Sequence, residues 1–298
     1  MASLSYLASV GETRRVLDRH GLMTKKALGQ HFLVNDGVVR RICDLAELTA
    51  EDDVVEVGPG IGTLTVALLQ RAGRVVSIEM DKDLPAVLSE TCSEWADRFT
   101  LISGDALSVS PRDMPVVDGD LLRPKKLVSN LPYAVGATIV LDYFQRFESL
   151  DSCTVMVQAE VADRMAAERG SKNYGAYTVK LGLYARYVSR FTVNEGNFFP
   201  PPRVKSAVIR MDRAESDLSP ELRQAACIMA DAAFATRRKT ISNSCKTFFS
   251  NPAHGMCDVV EKLPALFEHA RINPKDRGEA LSLDDYVSLG RSLLALSD

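Results

Sequence analysis

The chain has 298 residues, too many for one ordinary domain and enough for a sizeable domain with an appendage. Hydrophobic residues make up 46% and charged residues 25%, a balance that excludes a disordered or collagen-like chain. The net charge of −3 provides no general attraction for polyanions, and no apolar run approaches the roughly 18 residues that span a bilayer, so an anionic partner would have to be gripped by local groups of cations.

The opening ten residues, Met1 to Val10, lack a basic leading segment, and Glu12 and Asp18 interrupt the stretch that follows. No targeting peptide is read there, and a cytoplasmic location is expected. Arg14, Arg15, Arg19, Lys25 and Lys26 make a basic N-terminal extension. Val54-Val55-Glu56-Val57 and Val75-Val76-Ser77-Ile78 are β-branched runs, each followed by a turn and then a helical pattern, which predicts parallel strands joined by crossover helices. Leu127-Val128-Ser129 and Thr154-Val155-Met156-Val157 continue the series, and Ala207 to Met211 supplies a late strand after Pro200-Pro201-Pro202. An α/β domain is therefore expected over residues 1–212. Beyond it the signals are helical: Ser219 is a cap with Pro220 in the first turn, and Ser282 with Asp285 has the form of a capping box, predicting a small all-helical domain over 213–298. The six cysteines, at 43, 92, 153, 227, 245 and 257, show neither paired nor clustered spacing and are read as buried structural thiols, with no metal centre expected.

Gly58-Pro59-Gly60-Ile61-Gly62 lies between a predicted strand and a predicted helix, where glycines let the backbone approach a ligand and present free N–H groups to it. The pattern is G-x-G-x-G, with Thr63 where a dinucleotide fingerprint places its last glycine. Glu79, about twenty residues further on at the end of the next strand, is placed to accept hydrogen bonds from ribose hydroxyls. Asp105, in Gly104-Asp105-Ala106 after the Leu101-Ile102 run, is placed to accept from an adenine amine. Taken singly these are a tight turn and strand-end carboxylates. As an ordered set they favour an adenosine cofactor without a pyrophosphate, S-adenosylmethionine.

Asn130-Leu131-Pro132-Tyr133 supplies the complementary chemistry. The exocyclic amine of adenine is a poor nucleophile because its lone pair is delocalised into the ring. The Asn130 side-chain oxygen and a backbone carbonyl at Leu131 or Pro132 are suited to accept both of its N–H bonds and localise that pair, while Pro132 fixes the backbone and Tyr133 offers a stacking face. No side-chain base is needed before attack, since the amine is neutral. The plain alternative for this tetrapeptide is a strand exit with a proline turn. Phe198, in Phe198-Phe199-Pro200-Pro201-Pro202-Arg203-Val204, is a second candidate platform, the base lying between Tyr133 and Phe198; a buried aromatic beside a rigid loop is its alternative. Arg237-Arg238-Lys239 is the densest basic run of the helical part, with phosphate contact and a structural ion pair as its two readings.

These ordered motifs resemble the KsgA family of ribosomal RNA adenine dimethyltransferases over nearly the whole chain. The matching segments are Leu28-Gly29-Gln30-His31-Phe32-Leu33, Glu56 to Thr65, Glu79, Gly104 to Ala106, Asn130 to Tyr133, Gln158-x-Glu160, Phe198 to Ser206 and Phe234 to Thr240. The resemblance implies a Rossmann-like class I methyltransferase domain with a C-terminal helical domain that binds RNA. It implies dimethylation of N6 of two adjacent adenosines near the 3′ end of small-subunit ribosomal RNA, by a monomer acting on small ribosomal subunits in ribosome biogenesis. By that resemblance the donor contacts fall on His31, Leu33, Gly58, Glu79, Asp105 and Asn130, with Gly60 in the same turn. The family often has asparagine at the position of His31, and residues 111–125 are longer and more irregular than that turn usually needs. Methylases acting on an adenine of large-subunit ribosomal RNA share the cofactor motifs, and a non-catalytic assembly factor is a third reading. R-R-K-T with the helical tail disfavours the former, and intact Gly58, Glu79, Asp105, Asn130 and Tyr133 disfavour the latter. A nicotinamide oxidoreductase is disfavoured by the glycine spacing.

Overall fold

A computed structural model describes residues 3–24 and 30–296. Lys25 and Lys26 of the basic extension, and Leu28 and Gly29 of the first matching segment, lie outside the described residues. The valine-rich runs form central strands because β-branched side chains fit a pleated sheet covered on both faces. In chain order the strands are β1 (Phe32–Leu33), β2 (Asp53–Val57), β3 (Arg74–Glu79), β4 (Phe99–Ser103), β5 (Val116–Val117), β6 (Asp120–Leu121), β7 (Lys126–Asn130), β8 (Ser152–Gln158), β9 (Ala185–Val193), β10 (Phe198–Phe199) and β11 (Ser206–Arg213). A seven-stranded sheet has the order β4-β3-β2-β7-β8-β11-β9. β2, β3, β4, β7 and β8 run parallel, and β11 is antiparallel to β8.

The chain leaves β2 toward β3 and β4, then returns to the other side of β2 as β7. That reversal puts a crevice beyond the carboxyl ends of β2 and β7, the place where open α/β sheets bind ligands. The helices flanking this half are α1 (Val10–Arg19), α2 (Asp36–Leu45), α3 (Thr63–Leu69), α4 (Leu84–Thr91) and α5 (Gly136–Arg146). α3 is buried at every position, as expected for a helix without a polar face, whereas α2 buries Val38, Val39, Ile42 and Cys43 and keeps its arginines outward. Asn35 caps α2 by accepting from the Val38 amide at 3.2 Å, an interaction worth about 1 kcal/mol. The irregular segment before β7 is a 3-10 turn at Pro111–Asp113 followed by the β5-β6 hairpin, closed by a bond from the Leu122 amide to the Pro115 carbonyl at 2.8 Å.

The chain divides into two compact units, Met1–Ala162 with Tyr187–Arg213, and Asp163–Arg186 with Ala214–Asp298. This differs from a single cut after residue 212. The second unit also takes in the segment between α6 (Ala159–Met165) and β9, including α7 (Ala176–Gly182), because Tyr174 and Val179 are buried in the core of the C-terminal helices. Those helices are α8 (Pro220–Phe234), α9 (Ile241–Phe249), α10 (Val259–Ala270) and α11 (Leu283–Ala295). Ser219 caps α8 with Pro220 in the first turn, and Ser282 and Asp285 form the expected reciprocal box at the start of α11. Gly290 lets α11 sit directly on α8: a Cβ there would come within 2.7 Å of the Ala226 backbone nitrogen. Five cysteines are buried free thiols, but Cys257 is exposed in the turn ahead of α10 and is not part of the core. Among the described residues no helix is long and apolar enough to cross a membrane.

Candidate active site

The crevice at the strand ends holds a cavity of about 680 Å³. Its walls include His31, Leu33, Gly58, Gly60, Glu79, Asn130, Leu131, Pro132 and Tyr133, so donor and acceptor motifs far apart in sequence share one cavity. Gly58, Gly60 and Gly62 all have positive φ, which is why the turn after β2 is glycine-rich. Gly60 is under a second constraint. A Cβ there would come within 3.0 Å of the Phe32 ring, filling the space through which the backbone faces the cavity.

Two carboxylates stand behind this turn. Glu56 is fully buried and accepts from the Thr65 and Ser77 hydroxyls, each at 2.7 Å, so it ties β2 to α3 and β3. Burial pushes its carboxyl up to about 7, against the two hydroxyl bonds that favour the ionised form. The folded protein therefore keeps a proton that the unfolded chain releases above the ordinary value of 4.5. Stability from this group falls as pH rises from about 4.5 through about 7 and is flat above that, a change of up to about 3 kcal/mol. Thermal melts should show Glu56→Gln gaining on the parent between about pH 5 and about pH 8; a constant difference across that range would refute the assignment. Glu79, at the end of β3, accepts from the Asp81 amide at 2.8 Å and lies beside the Gly60 and Met80 amides. Burial raises its pKa and those amides oppose the rise; the same amides brace the carboxyl group at the cavity wall.

The acceptor side is built on β7. Asn130 Nδ2 donates to the His31 carbonyl at 3.3 Å, which commits the amide group and leaves Oδ1 as its acceptor. The Pro132 carbonyl accepts the Val135 amide at 3.2 Å in a tight turn. Of the two backbone candidates, Leu131 is thus the one whose carbonyl is not used to close that turn. The Tyr133 hydroxyl is bonded to Ser206 Oγ at 2.6 Å, and its ring stacks on His31 with centroids 5.7 Å apart. A base stacking on Tyr133 must therefore use the other face. His31 Nδ1 donates to the Pro200 carbonyl at 2.8 Å, so its ring braces the acceptor loop as well as lining the cavity.

Two expected residues are placed differently. Phe198 does not stand open as a platform: it is only 3% exposed, paired with Leu33 in the β1-β10 ladder and packed in the core. Asp105 does not line the cavity. It is exposed, and its Oδ1 turns back to the Leu107 amide at 3.0 Å, although its loop is tied to β3 by the Gly104 amide bonding to the Glu79 carbonyl at 2.9 Å. Phe32, Thr63, Leu64, Met80 and Gln158 also line the cavity. Phe32, Thr63, Leu64 and Gln158 lie within the segments that carry the resemblance, and Met80 directly follows Glu79.

The basic groups also divide. In the first unit Arg15 pairs with Glu12, Arg19 pairs with Glu90, and Arg14 lies over the Phe199 ring at 4.9 Å, so ion pairing neutralises two of the expected cations. In the second unit Arg237 pairs with Glu279 at 3.5 Å and donates to the Lys172 carbonyl, whereas Arg238 and Lys239 are exposed.

Residues 21–288 match the family model described as ribosomal RNA adenine dimethylase. The chain belongs to that family. It is similar to the ribosomal RNA small subunit methyltransferase A of Acidothermus cellulolyticus, with 38% identity over 94% of this chain and 93% of the relative. The protein of the same name from Staphylococcus aureus strain Newman is 36% identical over 95% of this chain and 94% of the relative. Among solved structures, a dimethyladenosine transferase from Plasmodium falciparum superposes with a TM-score of 0.71 at 22% identity, covering 90% of this chain and 98% of its own. The 23S rRNA methyltransferase ErmE gives 0.61 at 24% identity, covering 88% and 99%, and both likenesses show the class I methyltransferase fold. Membership of the family makes this protein a methyltransferase that uses S-adenosylmethionine. The cavity fits that cofactor: the glycine turn leaves a cradle that a Cβ at Gly60 would fill, and the Glu79 carboxylate is braced at its wall.

Proposed function

We propose that this protein dimethylates N6 of two adjacent adenosines near the 3′ end of small-subunit ribosomal RNA, acting as a monomer on small ribosomal subunits. The observation that carries this reading is the Asn130 amide, whose Nδ2 is bonded to the His31 carbonyl on the wall of the cavity that also contains the glycine turn and Glu79. When bound, S-adenosylmethionine supplies an electrophilic methyl group. Gly58, Gly60, Leu33 and Glu79 hold the donor, with His31 at its edge; Asp105, exposed and bonded to the Leu107 amide, reaches the donor's adenine amine only by giving up that bond. Asn130 Oδ1 and the Leu131 carbonyl accept the two N–H bonds of the adenine amine, turning its lone pair out of the ring plane toward the donor. Tyr133, fixed by Ser206 and His31, stacks the base. Phe198 acts indirectly, by pairing with Leu33 and so fixing the strand that directly follows His31.

Small subunits lacking the modification, supplied with labelled S-adenosylmethionine, should acquire label on two adjacent adenosines of their RNA. Label on large-subunit RNA alone would replace this reading with the large-subunit one. The Arg237 to Lys239 run belongs to the RNA grip. Changing all three to alanine should flatten the dependence of RNA affinity on salt by about two units of log–log slope and leave donor affinity unchanged. Arg238 and Lys239 should account for most of that change, because Arg237 is already paired with Glu279. An unaltered slope in the folded triple variant would remove the run from the interface.

A further inference from the structure

The second unit carries a further pair of cations, Arg169 and Lys172, on a connection that Arg237 binds through the Lys172 carbonyl. Residues 168–173 connect α6 to α7, in a stretch that the sequence places among the sheet strands. Three bonds bind this connection to the C-terminal helices: the Gly170 amide donates to the Glu279 carbonyl at 2.9 Å, the buried Tyr174 hydroxyl donates to the Leu281 carbonyl at 3.0 Å, and the Arg237 guanidinium donates to the Lys172 carbonyl. Arg237 also pairs through its side chain with Glu279. The backbone of Lys172 is thereby held against the residue that opens the Arg237-Arg238-Lys239 run.

Arg169 and Lys172 are both exposed, as are Arg238 and Lys239, and none of the four pairs with a carboxylate among the described residues. Glu279 is engaged by Arg237, which leaves Glu168 as the acidic side chain of the connection. Four solvated cations without carboxylate partners make a local positive surface, which attracts a polyanion even on a chain of net charge −3. We propose that the 168–173 connection and the Arg238-Lys239 turn form one surface for the phosphates of ribosomal RNA, with Arg169 and Lys172 as contacts in addition to the C-terminal run. This rests on the reading of the protein as an enzyme of ribosomal RNA.

The test uses the full chain and purified small-subunit ribosomal RNA, with binding measured at several salt concentrations. Arg169→Gln with Lys172→Gln should weaken binding about tenfold and reduce the log–log salt slope by between about 1 and 2, at unchanged S-adenosylmethionine affinity and unchanged melting temperature. Arg238→Gln with Lys239→Gln provides the comparison, and the fourfold variant should lose the sum of the two slopes. A normal slope for the 169/172 pair beside a flattened one for the 238/239 pair overturns this proposal and spares the functional reading. Normal slopes for both pairs overturn the assignment of this unit to RNA altogether. Should the 169/172 variant melt early, Lys172→Glu alone serves: charge reversal at an exposed site must weaken RNA binding more than it shifts the melt, and equal affinity sinks the proposal.

Discussion

Asn130→Ala is expected to lower kcat by about 10²–10³ while RNA affinity and donor affinity stay within about threefold of the parent. The replacement deletes the acceptor Oδ1, so the adenine amine is held by one carbonyl instead of two groups, and its lone pair relaxes back into the ring. Stability should change little, because the bond lost from the fold is a single 3.3 Å contact to the His31 carbonyl, on a residue that is part-buried at a strand end. The fall should be in kcat rather than KM, since the contact matters where the amine is reshaped and adds little to the binding of a large RNA. Single-turnover methylation of pre-bound subunits measures this directly, and a near-normal rate would remove Asn130 from the reaction. His31 gives an internal comparison. Its carbonyl orients Asn130 and its ring braces Pro200 and Tyr133, so His31→Asn should be milder than Asn130→Ala.

Local chemistry made the sheet and the cavity readable, and contacts distant in sequence account for what was missed. The runs from Val54 to Val57 and from Val75 to Ile78 announce β2 and β3 because buried parallel strands are nearly continuous apolar runs, and the glycine turn announces itself by the positive φ it needs. β9 carries no such signature: as the edge of the sheet it is exposed over most of its length and shows no alternation of apolar and polar positions. The membership of Asp163–Arg186 in the second unit depends on contacts such as Tyr174 to Leu281, which span 107 residues. Phe198 has the composition of a platform, and only its pairing with Leu33 across the β1-β10 ladder shows it to be core. In the same way Arg19 reads as a free cation until Glu90, 71 residues away, is placed beside it.

Glu79→Ala should weaken S-adenosylmethionine binding by about 10- to 100-fold, the loss expected for a charge-assisted hydrogen bond with its supporting contacts. The carboxylate is 7% exposed and already accepts the Asp81 amide at 2.8 Å, beside the amides of Gly60 and Met80. An ionised carboxylate has roughly four acceptor positions, so capacity remains for ribose hydroxyls on the cavity side. Alanine removes that capacity and also leaves the Gly60 and Asp81 amides without their partner, which loosens the turn that cradles the donor. Glu79→Gln separates the two effects: it keeps an acceptor for the backbone but loses the charge, and should fall between the parent and alanine. Because the lost contact is equally present before and during methyl transfer, kcat at saturating donor should stay within about threefold while the donor KM rises. Calorimetry decides the matter. Unchanged donor affinity in a folded Glu79→Ala protein would make Glu79 a structural brace of the glycine turn and leave the ribose without an assigned partner.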